Sequence, residues 1–96
     1  MSKAFYVDQS PISEKFMVKF SDEVYAYFKN RYYCGYYPAR VLGMNFADYC
    51  RFCRDEFGGI IYGKEGYPYI QYDEKANAQK VCDLLNKYWA KGKKIL

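Results

Sequence analysis

The chain has 96 residues, of which 51% are hydrophobic and 27% charged, and its formal net charge is +4. This length suits one compact domain, and the share of apolar residues excludes an intrinsically disordered chain. The chain contains no histidine, which removes the commonest general base and every Cys-His or Ser-His catalytic pair. We therefore expect no enzymatic activity.

The start of the chain and its apolar runs indicate its cellular location. The first ten residues, MSKAFYVDQS, are followed by charged residues instead of the apolar core of a signal peptide, and no run of 18 apolar residues occurs. We therefore expect a cytoplasmic protein with no membrane partner. In that compartment the cysteines should be reduced: Cys34, Cys50, Cys53 and Cys82.

The first third of the chain predicts a short strand at 3–8 and then a long helix at 11–33. Ser10 followed by a proline resembles a helix N-cap with a first-turn proline. Apolar residues continue at helical spacing on one face: Phe16, Phe20, Val24 and Tyr27. The alternative makes 14–20 a strand and begins the helix at Ser21, where the sequence SDE suits a helix start. The single long helix is the preferred prediction.

The middle of the chain predicts two helices joined by a tight turn. Pro38 suits only the start of a helix, which we place at 38–42, and Gly43 permits the turn that follows. Asn45 has an aspartate three residues later and so resembles the first residue of a capping box for a second helix at 46–57. Two glycines then end that helix.

The last third predicts a β-hairpin and a final helix. GIIYG and YPYIQYD contain strand-forming residues and flank the turn KEG. Asp73 is predicted to cap a helix at 74–91, which carries an apolar stripe: Ala78, Val81, Leu84, Leu85 and Tyr88. The predicted fold is a single α+β domain over 1–96, with three to four helices and a two-stranded hairpin.

The helix pair resembles a known DNA-binding motif. A small residue, an apolar residue, glycine, an apolar residue and a polar cap follow one another: Ala39, Leu42, Gly43, Met44 and Asn45. Tyr49 and Phe52 occupy the two apolar positions expected in the second helix. This pattern resembles helix-turn-helix proteins, and the hairpin that follows is similar to the wing of winged-helix proteins. The resemblance covers 38–72 and implies that the helix at 46–57 reads duplex DNA.

The outward face of that second helix carries suitable groups. At about 100° per residue, Ala47, Arg51 and Arg54 lie opposite Tyr49. Arginine can bind guanine or a phosphate with two hydrogen bonds. The predicted DNA-binding residues are Asn45, Ala47, Arg51, Arg54, Arg40 and Lys64. Such a protein would be a regulator from a phage or mobile element, and a homodimer is possible. Acidic neighbours could equally pair with the arginines on an ordinary solvated face.

The alternative function is a small interaction protein. Thirteen tyrosines exceed what a core of this size needs, and exposed tyrosines are common at protein interfaces. The predicted partner-binding patch interleaves aromatic and basic residues: Tyr25, Lys29, Tyr32, Tyr33, Tyr36 and Tyr37. Its partner would be a host or defence protein or nucleoprotein, and the protein would be a phage-type inhibitor, including the anti-CRISPR type.

The number of cysteines suggests a metal site, but their spacing does not favour one. Cys50 and Cys53 form a CxxC pair, and the total of four cysteines is the number that a structural zinc site needs. The pair lies in a predicted helix, however, and no second CxxC accompanies it. We predict buried or half-buried thiols with no metal, no disulfide and no cofactor.

Overall fold

A computed structural model describes residues 3–63 and 69–92 of the chain. The elements follow in this order: β1 (Phe5–Gln9), β2 (Phe16–Phe20), α1 (Asp22–Phe28), a 3-10 turn (Cys34–Tyr36), α2 (Tyr37–Val41), α3 (Phe46–Phe57), β3 (Ile60–Tyr62), β4 (Tyr69–Gln71) and α4 (Lys75–Ala90). This confirms the predicted small α+β domain. No helix in the described ranges is long and apolar enough to cross a membrane.

The predicted helix at 11–33 is wrong, because β2 occupies part of it. β2 pairs antiparallel with β1, so that Gln9 lies opposite Phe16. The helix begins after Ser21, as the alternative prediction proposed. Ser10 lies in the turn of this hairpin, where its Oγ accepts hydrogen bonds at 3.3 Å from the N–H groups of Ile12 and Ser13. The cap-like chemistry of Ser10 is therefore real, but it stabilises a turn between strands.

The second hairpin, formed by β3 and β4, is confirmed. Ile60 lies opposite Gln71 in an antiparallel pair. A single bridge then joins the two hairpins. The Phe16 N–H donates to the Tyr72 carbonyl at 2.8 Å, and the Tyr72 N–H donates to the Phe16 carbonyl at 2.7 Å. β2 and β4 are thus neighbours. The sequence analysis allowed for this only in its alternative, which makes 14–20 a strand. Residues 64–68, which contain the predicted KEG turn, lie outside the described ranges.

The helix α3 spans the residues predicted for it. The Asp48 N–H donates to Asn45 Oδ1 at 2.8 Å, and Asn45 Nδ2 donates to Asp48 Oδ2 at 3.0 Å. Asn45 therefore caps the helix as predicted, while the Asp48 carboxylate binds the Asn45 side-chain amide instead of the backbone N–H that it would bind in a full capping box. Gly58 ends the helix in the left-handed conformation, with φ of 68°. Both local signals therefore act as predicted.

The final helix packs across β1. The Phe5 N–H donates to Asn86 Oδ1 at 2.8 Å, and Asn86 Nδ2 donates to the Phe5 carbonyl at 2.9 Å, so that one amide covers the outer edge of β1. The predicted cap is wrong by one residue, because Glu74 is the N-cap. The Asp73 carboxylate is instead ion-paired with Lys15 on the other hairpin.

The core is aromatic at its centre. The rings of Phe28 and Tyr37 stack with centroids 5.1 Å apart, and Trp89 lies 6.2 Å from Phe28 and 6.4 Å from Phe5. Such ring pairs contribute about 0.5–1.5 kcal/mol each beyond the area they bury. The centre of the core therefore joins β1, α1, α2 and α4.

Candidate functional site

The outer face of α3 has the exposure that the DNA-binding prediction requires. Ala47, Arg51 and Arg54 are all exposed. Arg51 is ion-paired with Asp48, and Arg54 Nε lies 3.0 Å from the Asp55 carboxylate. These are surface pairs, which contribute only about 0–1 kcal/mol each, so they do not prevent the arginines from reaching a phosphate.

The net charge of α3 as a whole is less favourable for DNA. The two arginines of α3 are accompanied by three exposed acids, Asp48, Asp55 and Glu56, so the helix carries a net charge of −1 (2 − 3). Helices that enter a DNA groove depend on positive charge to neutralise phosphates. α3 therefore carries arginines that could bind DNA, but its net negative charge opposes the approach of phosphates.

The remaining predicted DNA contacts do not join this face in the same way. The Arg40 side chain is partly buried, and its guanidinium carbon lies 5.2 Å from the centroid of the Tyr32 ring. Asn45 is exposed, but its side chain is occupied in the α3 cap. Lys64 lies outside the described residues. Three of the six predicted DNA-binding residues, Ala47, Arg51 and Arg54, therefore share the outer face of α3.

The predicted tyrosine patch is only partly at the surface. Tyr25 and Tyr33 are 50% and 42% exposed, and Lys29 is also exposed. Tyr32 and Tyr36 are partly buried. Tyr37 was wrongly assigned to the partner-binding patch. Only 1% of this residue is exposed, because it stacks on Phe28 in the core.

A cleft of about 220 Å³ opens beside these tyrosines, and we call it the aromatic cleft. It lies between β2, the 34–38 segment, the start of α3, and β4. Its lining includes Met17, Val18, Phe20, Tyr33, Cys34, Gly35, Pro38, Phe46, Tyr49, Tyr69, Ile70 and Tyr72. Sequence reasoning missed the cleft, because it treated β2 as helix. The alternation of Phe16, Val18 and Phe20 was the one pattern that could have indicated a strand here.

Three rings of one wall of the aromatic cleft, Tyr33, Phe46 and Tyr49, form a connected series through Tyr36, which does not itself line the cleft. Centroids are 5.9 Å apart for Tyr33 and Tyr36, 5.0 Å for Tyr36 and Phe46, and 6.4 Å for Phe46 and Tyr49. At the opposite side, Tyr69 is 52% exposed and stacks on Tyr62 at 5.7 Å. Aromatic rings present a large contact area while losing little side-chain entropy on binding. This wall is therefore preorganised for contact.

The described lining of the aromatic cleft is uncharged. None of those side chains is acidic or basic. Burial is the main cause that raises the pKa of the Tyr49 and Tyr72 hydroxyls well above their usual range, and the neighbouring Cys53 thiol adds to the effect. Both phenols stay neutral at physiological pH. The aromatic cleft therefore favours an apolar, uncharged ligand surface.

The four cysteines differ in burial. Cys50, Cys53 and Cys82 are buried, as predicted for the CxxC pair, while Cys34 is exposed. Burial raises the pKa of the Cys53 thiol, which keeps this group protonated. Within 3–63 and 69–92, no three acidic or cysteine side chains are grouped so that they could hold a metal ion.

Comparison with protein-family models, with curated proteins and with solved structures gave no significant match. The geometry of the chain itself is therefore the basis for a functional proposal.

Proposed function

We propose that this chain is a small binding protein that docks onto a partner protein through the aromatic cleft. The observation that carries the proposal is an uncharged cleft of about 220 Å³ with half-exposed tyrosines, Tyr33 and Tyr69, at its sides. Tyrosine is enriched at protein interfaces, where its ring fills an apolar site and its hydroxyl stays hydrated. A host or defence protein remains the partner class that the sequence predicts.

Duplex DNA is the second candidate, and the predicted helix pair favours it. α2 and α3 are joined by a short turn in which Gly43 has φ of 72°, and Ala47, Arg51 and Arg54 are exposed on α3. The net negative charge of α3 argues against it. The winged-helix resemblance and DNA binding therefore stay predictions, and we rank them below protein binding.

We also place this interaction in the cytoplasm, as the sequence predicts. All four cysteines carry free thiols, which suits a reducing compartment.

Site-specific photo-crosslinking tests the leading proposal. A benzophenone amino acid replaces Tyr33 or Tyr69, and in a control it replaces Tyr6, which is similarly exposed at 45% but lies on β1 outside the cleft lining. Irradiation of cells that express the chain should give one common protein adduct from the two cleft positions and none from Tyr6. The same adduct from all three positions would refute docking through the aromatic cleft.

A salt series with random duplex DNA tests the second candidate. Each phosphate contact should contribute a slope of about −0.9 to log K against log salt concentration. Arg51→Ala or Arg54→Ala should cost about 1–3 kcal/mol of DNA affinity if the residue reads a base. Lys80→Ala, at an exposed position of α4, is the control. Equal DNA binding by the parent and both arginine variants would remove α3 from DNA recognition.

A further inference from the structure

Among the described residues, the edge of β2 that faces away from β1 has no strand partner beyond Phe16. In antiparallel strands, alternate residues direct both the N–H and the C=O towards the same neighbour. The Ser10 N–H donates to the Lys15 carbonyl at 2.8 Å, and the Ser21 N–H donates to the Ala4 carbonyl at 2.8 Å. Odd-numbered residues therefore face β1, and Phe16 and the two alternate residues that follow it in β2 face away.

The same parity holds on β4. Tyr72 directs its N–H and C=O to Phe16, so Ile70, two residues earlier, also faces β2. In this register Val18 would pair with Ile70, but the ladder stops after the bridge between Phe16 and Tyr72. β2 and β4 separate there, and the aromatic cleft lies in the gap, lined by Val18, Phe20 and Ile70.

Within residues 3–63 and 69–92, β2 and β4 belong to separate two-stranded sheets and meet only at the bridge between Phe16 and Tyr72. Among the described residues, Val18 and Phe20 therefore have no strand partner on the side that faces away from β1. The outer edge of β1 differs, because the Asn86 amide covers it at Phe5. An uncovered strand edge is a template for another extended chain.

We propose that the aromatic cleft binds an extended, apolar segment of the partner protein as an added β-strand, hydrogen-bonded to the edge of β2 at Val18 and Phe20. This inference rests on the proposed function. Charge complementarity defines the segment. The described lining carries no charged side chain, and the N–H and C=O groups of Val18 and Phe20 alternate along the edge of β2, which an extended backbone matches. Every second side chain of the segment faces the ring wall and should be apolar and uncharged.

The free protein provides the first test, by amide hydrogen exchange. The amides of Val18 and Phe20 should exchange at least about tenfold faster than those of Met17 and Lys19, which the register pairs with β1. Equal protection would show that the edge is already covered and would overturn the proposal. If sedimentation then showed a dimer, a second copy would be the occupant.

The second test uses a phage-displayed library of random linear peptides, selected on the full-length chain. Enriched peptides should alternate apolar and polar residues and should protect the Val18 and Phe20 amides from exchange. Backbone N-methylation at the residues that face β2 should weaken binding about tenfold, since each removes one hydrogen bond. Selected peptides that leave both amides unprotected would overturn strand addition.

The two proposals can fail separately. Tyr33→Ala and Tyr69→Ala should weaken peptide binding, and Tyr6→Ala should not. Peptides that depend on Tyr33 and Tyr69 but tolerate N-methylation would support the aromatic cleft and refute the added strand. Peptides that bind all three variants like the parent, or failure to enrich any peptide, would refute the added strand, and the crosslinking at Tyr33 and Tyr69 then decides docking through the aromatic cleft.

Discussion

Replacement of Asn86 by alanine tests how much stability depends on the covered edge of β1. The substitution removes two hydrogen bonds, from the Phe5 N–H at 2.8 Å and to the Phe5 carbonyl at 2.9 Å. A neutral hydrogen bond contributes about 0.5–1.5 kcal/mol to folding, and partial burial leaves the Phe5 groups poorly hydrated when their partner is lost. We therefore expect a loss of about 2 kcal/mol, or about 8–16 °C in Tm for a domain of this size.

The assay is urea unfolding followed by the fluorescence of Trp89, the single tryptophan, which is buried in the core. Asn77→Ala is the matched control, because it makes the same change in the same helix, and the described structure gives its side chain no hydrogen bond. Asn77 lies in the first turn of α4, so replacement by alanine gains less helix propensity there than at Asn86, and the control sets a lower bound on that gain. An Asn86→Ala variant as stable as Asn77→Ala would refute the role assigned to this amide.

Three further predictions test the fold by chemical denaturation. Gly59→Ala would place a Cβ 2.9 Å from Ile70 Cγ2, so we expect the free energy of unfolding to fall by about 1–3 kcal/mol. Gly58→Ala has a φ of 68° but no close contact, so it should cost only about 1 kcal/mol of conformational strain. Asn45→Ala should cost about 1 kcal/mol, and Asn45→Asp, which keeps the capping oxygen, should cost much less. Burial raises the pKa of Cys82 from 9.0 to about 12, so the folded chain keeps a proton that the unfolded chain releases, and stability should fall as the pH rises from 9 towards 12. Cys82→Ala should flatten this fall by up to about 1.4 kcal/mol per pH unit; an unchanged slope would contradict the assignment.

The parts of the fold that sequence predicted correctly depend on local chemistry. The bounds of α3 follow from the Asn45 cap and from Gly58, which act within a few residues of the helix ends. The helix predicted at 11–33 was wrong because Phe16 and Phe20 fit both a helical and an alternating spacing. The bridge from Phe16 to Tyr72, which lies far along the chain, joins this segment to the other hairpin, and no local pattern could reveal it.

The same distinction applies to the functional surfaces. The outward face of α3 could be predicted, because helical periodicity alone places Arg51 and Arg54 together. The aromatic cleft could not, since four separate segments form it and its shape depends on where β2 and β4 part. Tyr37 was misplaced for a related reason: its neighbours in sequence are partly exposed, and its burial depends on packing against Phe28 of α1 and Phe20 of β2.

The packing of α4 on β1 has a consequence for synthesis on the ribosome. β1 is made first among the described elements, yet Phe5 meets Trp89 and Asn86 only after α4 has emerged. Until then a nascent hairpin of β1 and β2 exposes an apolar ring and an open edge, which makes it a substrate for chaperones and a target for pairing with neighbouring chains. Arrest-peptide stalling should therefore detect folding force only when residue 89 has cleared the exit tunnel.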